Sequence, residues 1–89
     1  MKICEVIGHV WATKKEESLS GLKLMVVKQI DVRSDWESIP YVAADMVGAG
    51  IGERVLVVEG STARHALSRD NLPVDSTIVG IIDSLDVKK

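Results

Sequence analysis

Apolar and polar positions alternate in short blocks along the chain, and these blocks predict strands rather than helices. Residues 2–13 read as a first strand, with Ile3, Val6, Ile7, Val10 and Trp11 as its β-formers. Gly8 inside that block predicts a bulge or bend of the kind small barrels use at corners. A polar stretch at 14–21 ends in the turn glycine Gly21. Residues 22–32 form the second predicted strand. Its alternate positions Leu22, Leu24, Val26, Ile30 and Val32 make one apolar face, broken by Lys28. The other face carries Lys23, Gln29 and Asp31, but also Met25 and Val27. After a loop at 33–40 that holds Trp36, residues 41–45 read as a short strand. A third long strand is expected at 54–59, and 61–67 is the only plausible helix. A loop at 68–76 contains Pro73. The last strand is expected at 77–83, with Leu85 and Val87 as an extension. Gly80 in its middle predicts another bend or a close backbone approach.

The runs at 55–58 and 78–82 are apolar on both faces. In a small sheet this means cover on both sides, from a helix, from barrel closure or from a neighbouring subunit. Many short strands with one short helix predict a small, mostly β, barrel-like fold. No repeat or composition break interrupts the pattern, so residues 1–89 are expected to form one domain.

The most unusual local stretch is V-G-A-G-I-G-E-R-V-L-V-V-E-G-S-T-A-R at 47–64. Gly48, Gly50 and Gly52 occupy alternate positions ahead of the predicted third long strand. Glycine serves where φ is positive or where a Cβ would crowd a neighbour. The central Gly50 is therefore expected to hold such a position. Gly60-Ser61 reads as a strand exit into a helix, with Ser61 as N-cap. Arg64 then falls just inside the first turn, where the helix dipole disfavours a cation. A carboxylate partner is expected for it: Glu53, Glu59, or one on another subunit.

Composition sharpens this picture. With 46% hydrophobic residues among 89, there is more apolar surface than so small a body can hide, which points to burial against other subunits. A net charge of −2 suits nucleic acid poorly, because that binding relies on Lys and Arg displacing counterions. The lone Cys4 excludes an internal disulfide and a multi-cysteine zinc site, and is compatible with a reducing cytoplasm. Residues 1–10 are interrupted by Glu5 and His9 and lack the apolar core of a signal peptide. No apolar run approaches the ~20 residues of a membrane span.

Candidate chemistry is sparse. The glycine loop lacks the lysine and Ser/Thr of a P-loop, and Glu53 follows it instead. It leads into a strand rather than the helix of a dinucleotide fingerprint. His65 lies four residues after Ser61, but capping explains that serine better, and no G-x-S-x-G elbow exists. Cys4 in an apolar strand reads as a buried, inert thiol. Asp45, Glu53, Asp75 and Asp83 sit near strand ends or loops, where capping and ion pairing are the common roles. With no Phe, one Tyr and two Trp, the chain also lacks the aromatic platform that single-strand binders use. Lys14, Lys15, Lys88 and Lys89 read as solvated loop and tail rather than a basic groove.

The string G-A-G-I-G-E-R-V-L-V-V-E-G-S-T-A-R at 48–64 resembles the signature of the bacterial microcompartment vertex proteins of the EutN/CcmL type. Residues 8–13 with 19–24 resemble the family's first hairpin, 41–45 the strand before the glycine loop, and 73–75 with 78–83 the closing strand. Thr62 stands where the family often has Ser, and Ala44 where a larger β-branched residue is frequent. The resemblance implies an OB-like barrel that assembles as a homopentamer and caps the vertices of a cytoplasmic polyhedral shell. The shell is otherwise tiled by hexameric proteins around enzymes. It further implies a structural role without catalysis, cofactor, metal, nucleic acid or membrane. On this reading Gly48, Ala49, Gly50, Gly52, Glu53, Ser61 and Arg64 are expected at a subunit interface or axis loop, where converging backbones demand small side chains. The competing expectation is a small OB-like barrel that binds a ligand or single-stranded nucleic acid.

Overall fold

A computed structural model describes residues 1–12, 15, 17–30, 38–67 and 74–85. The apolar runs become the strands β1 (Lys2–His9), β2 (Lys23–Gln29), β3 (Tyr41–Asp45), β4 (Arg54–Glu59) and β5 (Ser76–Ile81). A helix, α1 (Ser61–Ala66), follows β4, and a 3-10 turn (Glu17–Leu19) precedes β2. The strands close into a barrel in the order β1-β2-β3-β5-β4, with β4 returning to β1. Closure removes the sheet edges that an open sheet would have to protect. The β3–β5 pair is parallel and the other pairs are antiparallel. The architecture is OB-like and mostly β, as the strand pattern predicts.

Among the described residues β1 ends at His9, β2 at Gln29 and β5 at Ile81, short of the expected ends, while Thr13, Asp31 and Val32 lie outside the described residues. Beyond β1, Val10 still donates to the Leu24 carbonyl at 3.0 Å. After β2, the Ile30 N–H turns to the Ile3 carbonyl at 2.9 Å. After β5, Ile82 donates to the Arg54 carbonyl at 2.8 Å. The expected loop around Trp36, the one around Pro73, Lys14 and the tail with Val87, Lys88 and Lys89 lie outside the described residues.

Both glycines read as bends sit at register shifts. Gly8 pairs with Val26 while Val6 pairs with Val27, so Ile7 is the extra residue of a bulge. Gly80 pairs with Leu56 while Ile78 pairs with Val57, so Val79 is the extra residue there. Bulges add the local bend and twist that barrel closure requires.

The interior is filled by Cys4, Val6, Met25, Val27, Ala43, Val55, Val57 and Ile78, with Tyr41 against it. Met25 and Val27 thus face inward. The other face of β2, apolar in sequence, faces outward. Leu22 and Leu24 there join Ala44, Val74, Leu19 and Leu67 in a second cluster. Two apolar faces on β2 therefore mean two cores, one inside the barrel and one under its flanking segments. α1 packs across β4 and β5, where Val58 and Thr77 pair in register and the Thr77 hydroxyl donates to the Ala63 carbonyl at 2.9 Å. Cover on both faces of this region thus comes from closure and the helix together.

Cys4 Sγ and the Tyr41 hydroxyl lie 3.3 Å apart in the barrel wall. Burial pushes the thiol up from its ordinary value, partly offset by the Tyr41 contact and by Lys2. Burial, then the Cys4 contact, pushes the Tyr41 phenol far up. Both groups hold their protons more tightly folded than unfolded. Their contribution to stability is complete below the unfolded values, about 8.5 and 10, and is lost progressively above them. Urea midpoints should therefore hold near neutrality and fall as pH rises past about 9, with a shallower fall in Tyr41→Phe. Superimposable alkaline profiles for the parent and Tyr41→Phe would exclude the phenol as a contributor.

Candidate functional site: the glycine-loop end of the barrel

β3 ends at Asp45, and the chain must reverse before β4 begins at Arg54. Asp45 organises that reversal. Its carboxylate accepts from the N–H groups of Val47 at 3.0 Å, Gly48 at 3.1 Å and Ala49 at 2.8 Å. An Asp side chain bonded to its own following backbone is a turn-former that needs no distant partner. Here a distant partner is present as well. Lys23, opposite Asp45 in the β2–β3 register, places Nζ 3.4 Å from Oδ2 and 2.9 Å from the Ala49 carbonyl. The Asp45 side chain has 0% exposure. A buried carboxylate is tolerable only when paired and hydrogen-bonded, and this one is both. Gly48 takes φ 79°, in the left-handed region where a Cβ is strained. Ala49 is then carried into the barrel core and is fully buried. The first half of the loop is a plug.

The second half is a turn. Glu53 N–H donates to the Gly50 carbonyl at 3.2 Å, and Gly52 at its third position has φ 91°, as a type II turn requires. The Glu53 carboxylate reaches back to the Gly50 N–H at 2.6 Å. Gly52 N–H donates to the Val6 carbonyl at 2.8 Å, and Val6 N–H donates to the Glu53 carbonyl at 3.0 Å, which ties the turn to β1. The expectation for Gly50 holds for a close Cβ contact but not for positive φ. Gly48 and Gly52 have the positive φ, whereas a Cβ on Gly50 would meet only Glu53 Oε1, at 3.3 Å. Alternate spacing marked the loop without saying which glycine carries the conformation.

The registers bring several segments to this end of the barrel: the second half of β1, the start of β2, the ends of β3 and β5, and the loop itself. Ile7, Met46, Val47, Ile51 and Ile81, all exposed large hydrophobics, belong to those segments, and Trp11 follows two residues after β1; the exposed Met1, Ile39 and Val42 lie elsewhere. Trp11 is 88% exposed and Ile51, in the turn, 59%. The His9 and Trp11 rings lie 5.8 Å apart and tilted at the rim. They line a cleft of about 290 Å³ together with Lys15, Leu22, Lys23 and Leu24. A lone exposed apolar residue is ordinary, but a concentration of them at one end marks a contact surface. Sequence reasoning missed this grouping, because the residues come from separate segments.

Ser61 and Arg64 are not part of it. They follow β4, which runs away from the glycine loop for about 20 Å at ~3.3 Å per residue. The N-cap of α1 is Gly60, with φ 67° and its N–H bonded to the Asp75 carbonyl, and no side chain caps the helix. Ser61 is already inside the helix and exposed, so its expected capping role is wrong by one residue. The helix is also so short that Arg64 lies in its last turn, where a cation is favoured. Its guanidinium donates to the Val74 carbonyl at 3.2 Å. The expected carboxylate partners are used elsewhere, Glu59 by Lys2 at 2.9 Å and Glu53 by Gly50.

The profile of the family described as "Ethanolamine utilisation protein EutN/carboxysome" matches residues 1–83. The chain belongs to the EutN/CcmL family. It is 44% identical over 88 residues to the carboxysome shell vertex protein CcmL of Synechococcus elongatus, covering 99% of this chain and 89% of that protein. It is 42% identical over 89 residues to the microcompartment shell vertex protein PduN of Salmonella typhimurium, covering 96% and 98%. Among solved structures, the pentameric microcompartment shell protein GrpN of Rhodospirillum rubrum superimposes with a TM-score of 0.85 at 40% identity, covering 100% of both chains.

For this EutN/CcmL-family chain the loop geometry generates two expectations. Asp45→Ala would leave the converging N–H groups without their acceptor and Lys23 without its counter-charge, at a cost on the order of 3 kcal/mol. Chemical denaturation should show that loss, and a midpoint within error of the parent would refute the central role of Asp45. Gly52→Ala should cost about 1–3 kcal/mol for its left-handed backbone, and Gly50→Ala distinctly less. Equal melting losses in both variants would contradict the assignment of the turn.

Proposed function

We propose that this chain is a structural vertex subunit of a bacterial microcompartment shell, acting as a homopentamer among hexameric shell proteins. The observation that carries the reading is the apolar end of the barrel. A chain that hides a core inside its barrel still leaves Trp11, Ile51 and their neighbours uncovered, as a subunit of a larger ring would. Membership of a family whose relatives are named shell vertex proteins and a pentameric shell protein supplies the kind of ring. Gly48, Gly50, Gly52 and Glu53 form the loop assigned to contacts near the axis, where a compact backbone lets copies converge, while Ala49, expected among them, is turned into the barrel core. Ser61 and Arg64, at the far end of β4, belong to a separate part of the surface.

The role is structural rather than catalytic. The Cys4 thiol is fully buried and its pKa raised, which disfavours the thiolate a nucleophile needs. The nucleic-acid alternative is not favoured by the relatives. Trp11 and Tyr41, the aromatics among the described residues, also sit towards opposite ends of the barrel and form no common stacking platform. No helix among the described residues is long and apolar enough to cross a membrane.

The purified chain should give a pentameric mass by native mass spectrometry. Co-produced with hexameric shell proteins, it should yield closed polyhedra by electron microscopy, and its omission should leave shells open at vertices or elongated. Indistinguishable, fully closed particles with and without the chain would refute the vertex role.

A further inference from the structure

A closed ring of identical chains joins two different faces of each subunit, so one surface of the chain must complement another. We propose that the His9–Trp11 cleft receives the glycine-loop turn of the next copy, with Ile51 against Trp11 and Glu53 facing Lys15. This rests on the ring reading above and names the surfaces that close the ring.

Both halves are visible on one subunit. The turn carries the exposed Ile51 next to the exposed, acidic Glu53, and it is held in shape by its own bonds to Gly50 and Val6. A pre-shaped turn loses little freedom on docking. The cleft has the complementary chemistry: a nearly bare indole, the apolar Leu22 and Leu24, and the cations Lys15 and Lys23. Lys23 is committed to Asp45 and Ala49, which leaves Lys15, exposed and lining the cleft, to face an incoming carboxylate. Exposed tryptophans that become buried at the centre of an interface carry a large share of its energy. A charge pair at its rim sets register and orientation more than affinity.

The test uses native mass spectrometry on a dilution series, with melting of the barrel followed in parallel. Trp11→Ala should raise the concentration at which rings dissociate by about tenfold or more while the barrel still folds. Glu53→Gln, which keeps an oxygen acceptor for the Gly50 N–H, and Lys15→Gln should each weaken the ring, and the double variant should weaken it little more than either alone. In a Trp36→Phe background, emission from Trp11 should be blue-shifted in the ring and move to the red on dilution. Rings that survive Trp11→Ala unchanged, losses at Glu53 and Lys15 that simply add in the double variant, or a Trp11 that stays solvated in the ring would each overturn the proposal. Shielding of Trp11 only on addition of hexameric shell proteins would overturn it too, by assigning the cleft to them. A wild-type ring with any of these results leaves the vertex reading standing, whereas a wild-type monomer removes both.

Discussion

A carboxylate shut away from water sits where the barrel wall turns back on itself. The amides of Val47, Gly48 and Ala49 and the ammonium of Lys23 all converge on Asp45 there. That one set of contacts ties β2 to β3, curls the loop and drives Ala49 into the core. The position of β4, and of the turn at 50–53, follows from where the plug seats. Loss of a partner is costly at such a place, because it leaves part of a buried charge uncompensated. A single conformation results at a place where glycine-rich backbone would otherwise wander.

Around this lock the apolar residues are divided among three destinations. Small and β-branched side chains fill the barrel. A second set, Leu19, Leu22, Leu24 and Leu67 with Ala44 and Val74, forms a layer outside it. Of the exposed large apolar residues that remain, Ile7, Trp11, Met46, Val47, Ile51 and Ile81 gather towards the glycine-loop end, and Met1, Ile39 and Val42 lie elsewhere. A domain of this size has too little interior for its hydrophobic content, and association is the usual outlet for the excess. The same loop therefore has two duties, an inward one through Ala49 and an outward one through Ile51, served by neighbouring positions of one turn.

Much of this was legible from local rules. The strands at 41–45 and 54–59 and the helix start at Ser61 follow from β-branched runs and from a glycine exit. Gly8 and Gly80 inside strands announced local irregularities, a bulge or bend at the first and a bend or close approach at the second, and both lie at register shifts. Where local rules failed, a neighbour in space had intervened. Ser61 has the chemistry of a cap, but the bond from Gly60 to Asp75 of the next segment moved the boundary by one residue. Arg64 was expected beside Glu53, Glu59 or another subunit's carboxylate; within the chain Lys2 meets Glu59, Gly50 meets Glu53, and Arg64 turns to the Val74 carbonyl.

The amino-acid sequence by itself thus determined the strand content, the punctuation by glycine, the surplus of apolar residues and, through several separated motifs, the family. These depend on the order of residues along the chain, which carries period and propensity directly. Tertiary structure alone decided which apolar face of β2 turned inward, which glycines hold positive φ, and that Ile7, Trp11, Met46, Val47, Ile51 and Ile81 share one end of the barrel. The physical reason is closure: a barrel sets its registers by pairing distant strands, so which side chains become neighbours is a property of the completed ring of hydrogen bonds and of no single segment.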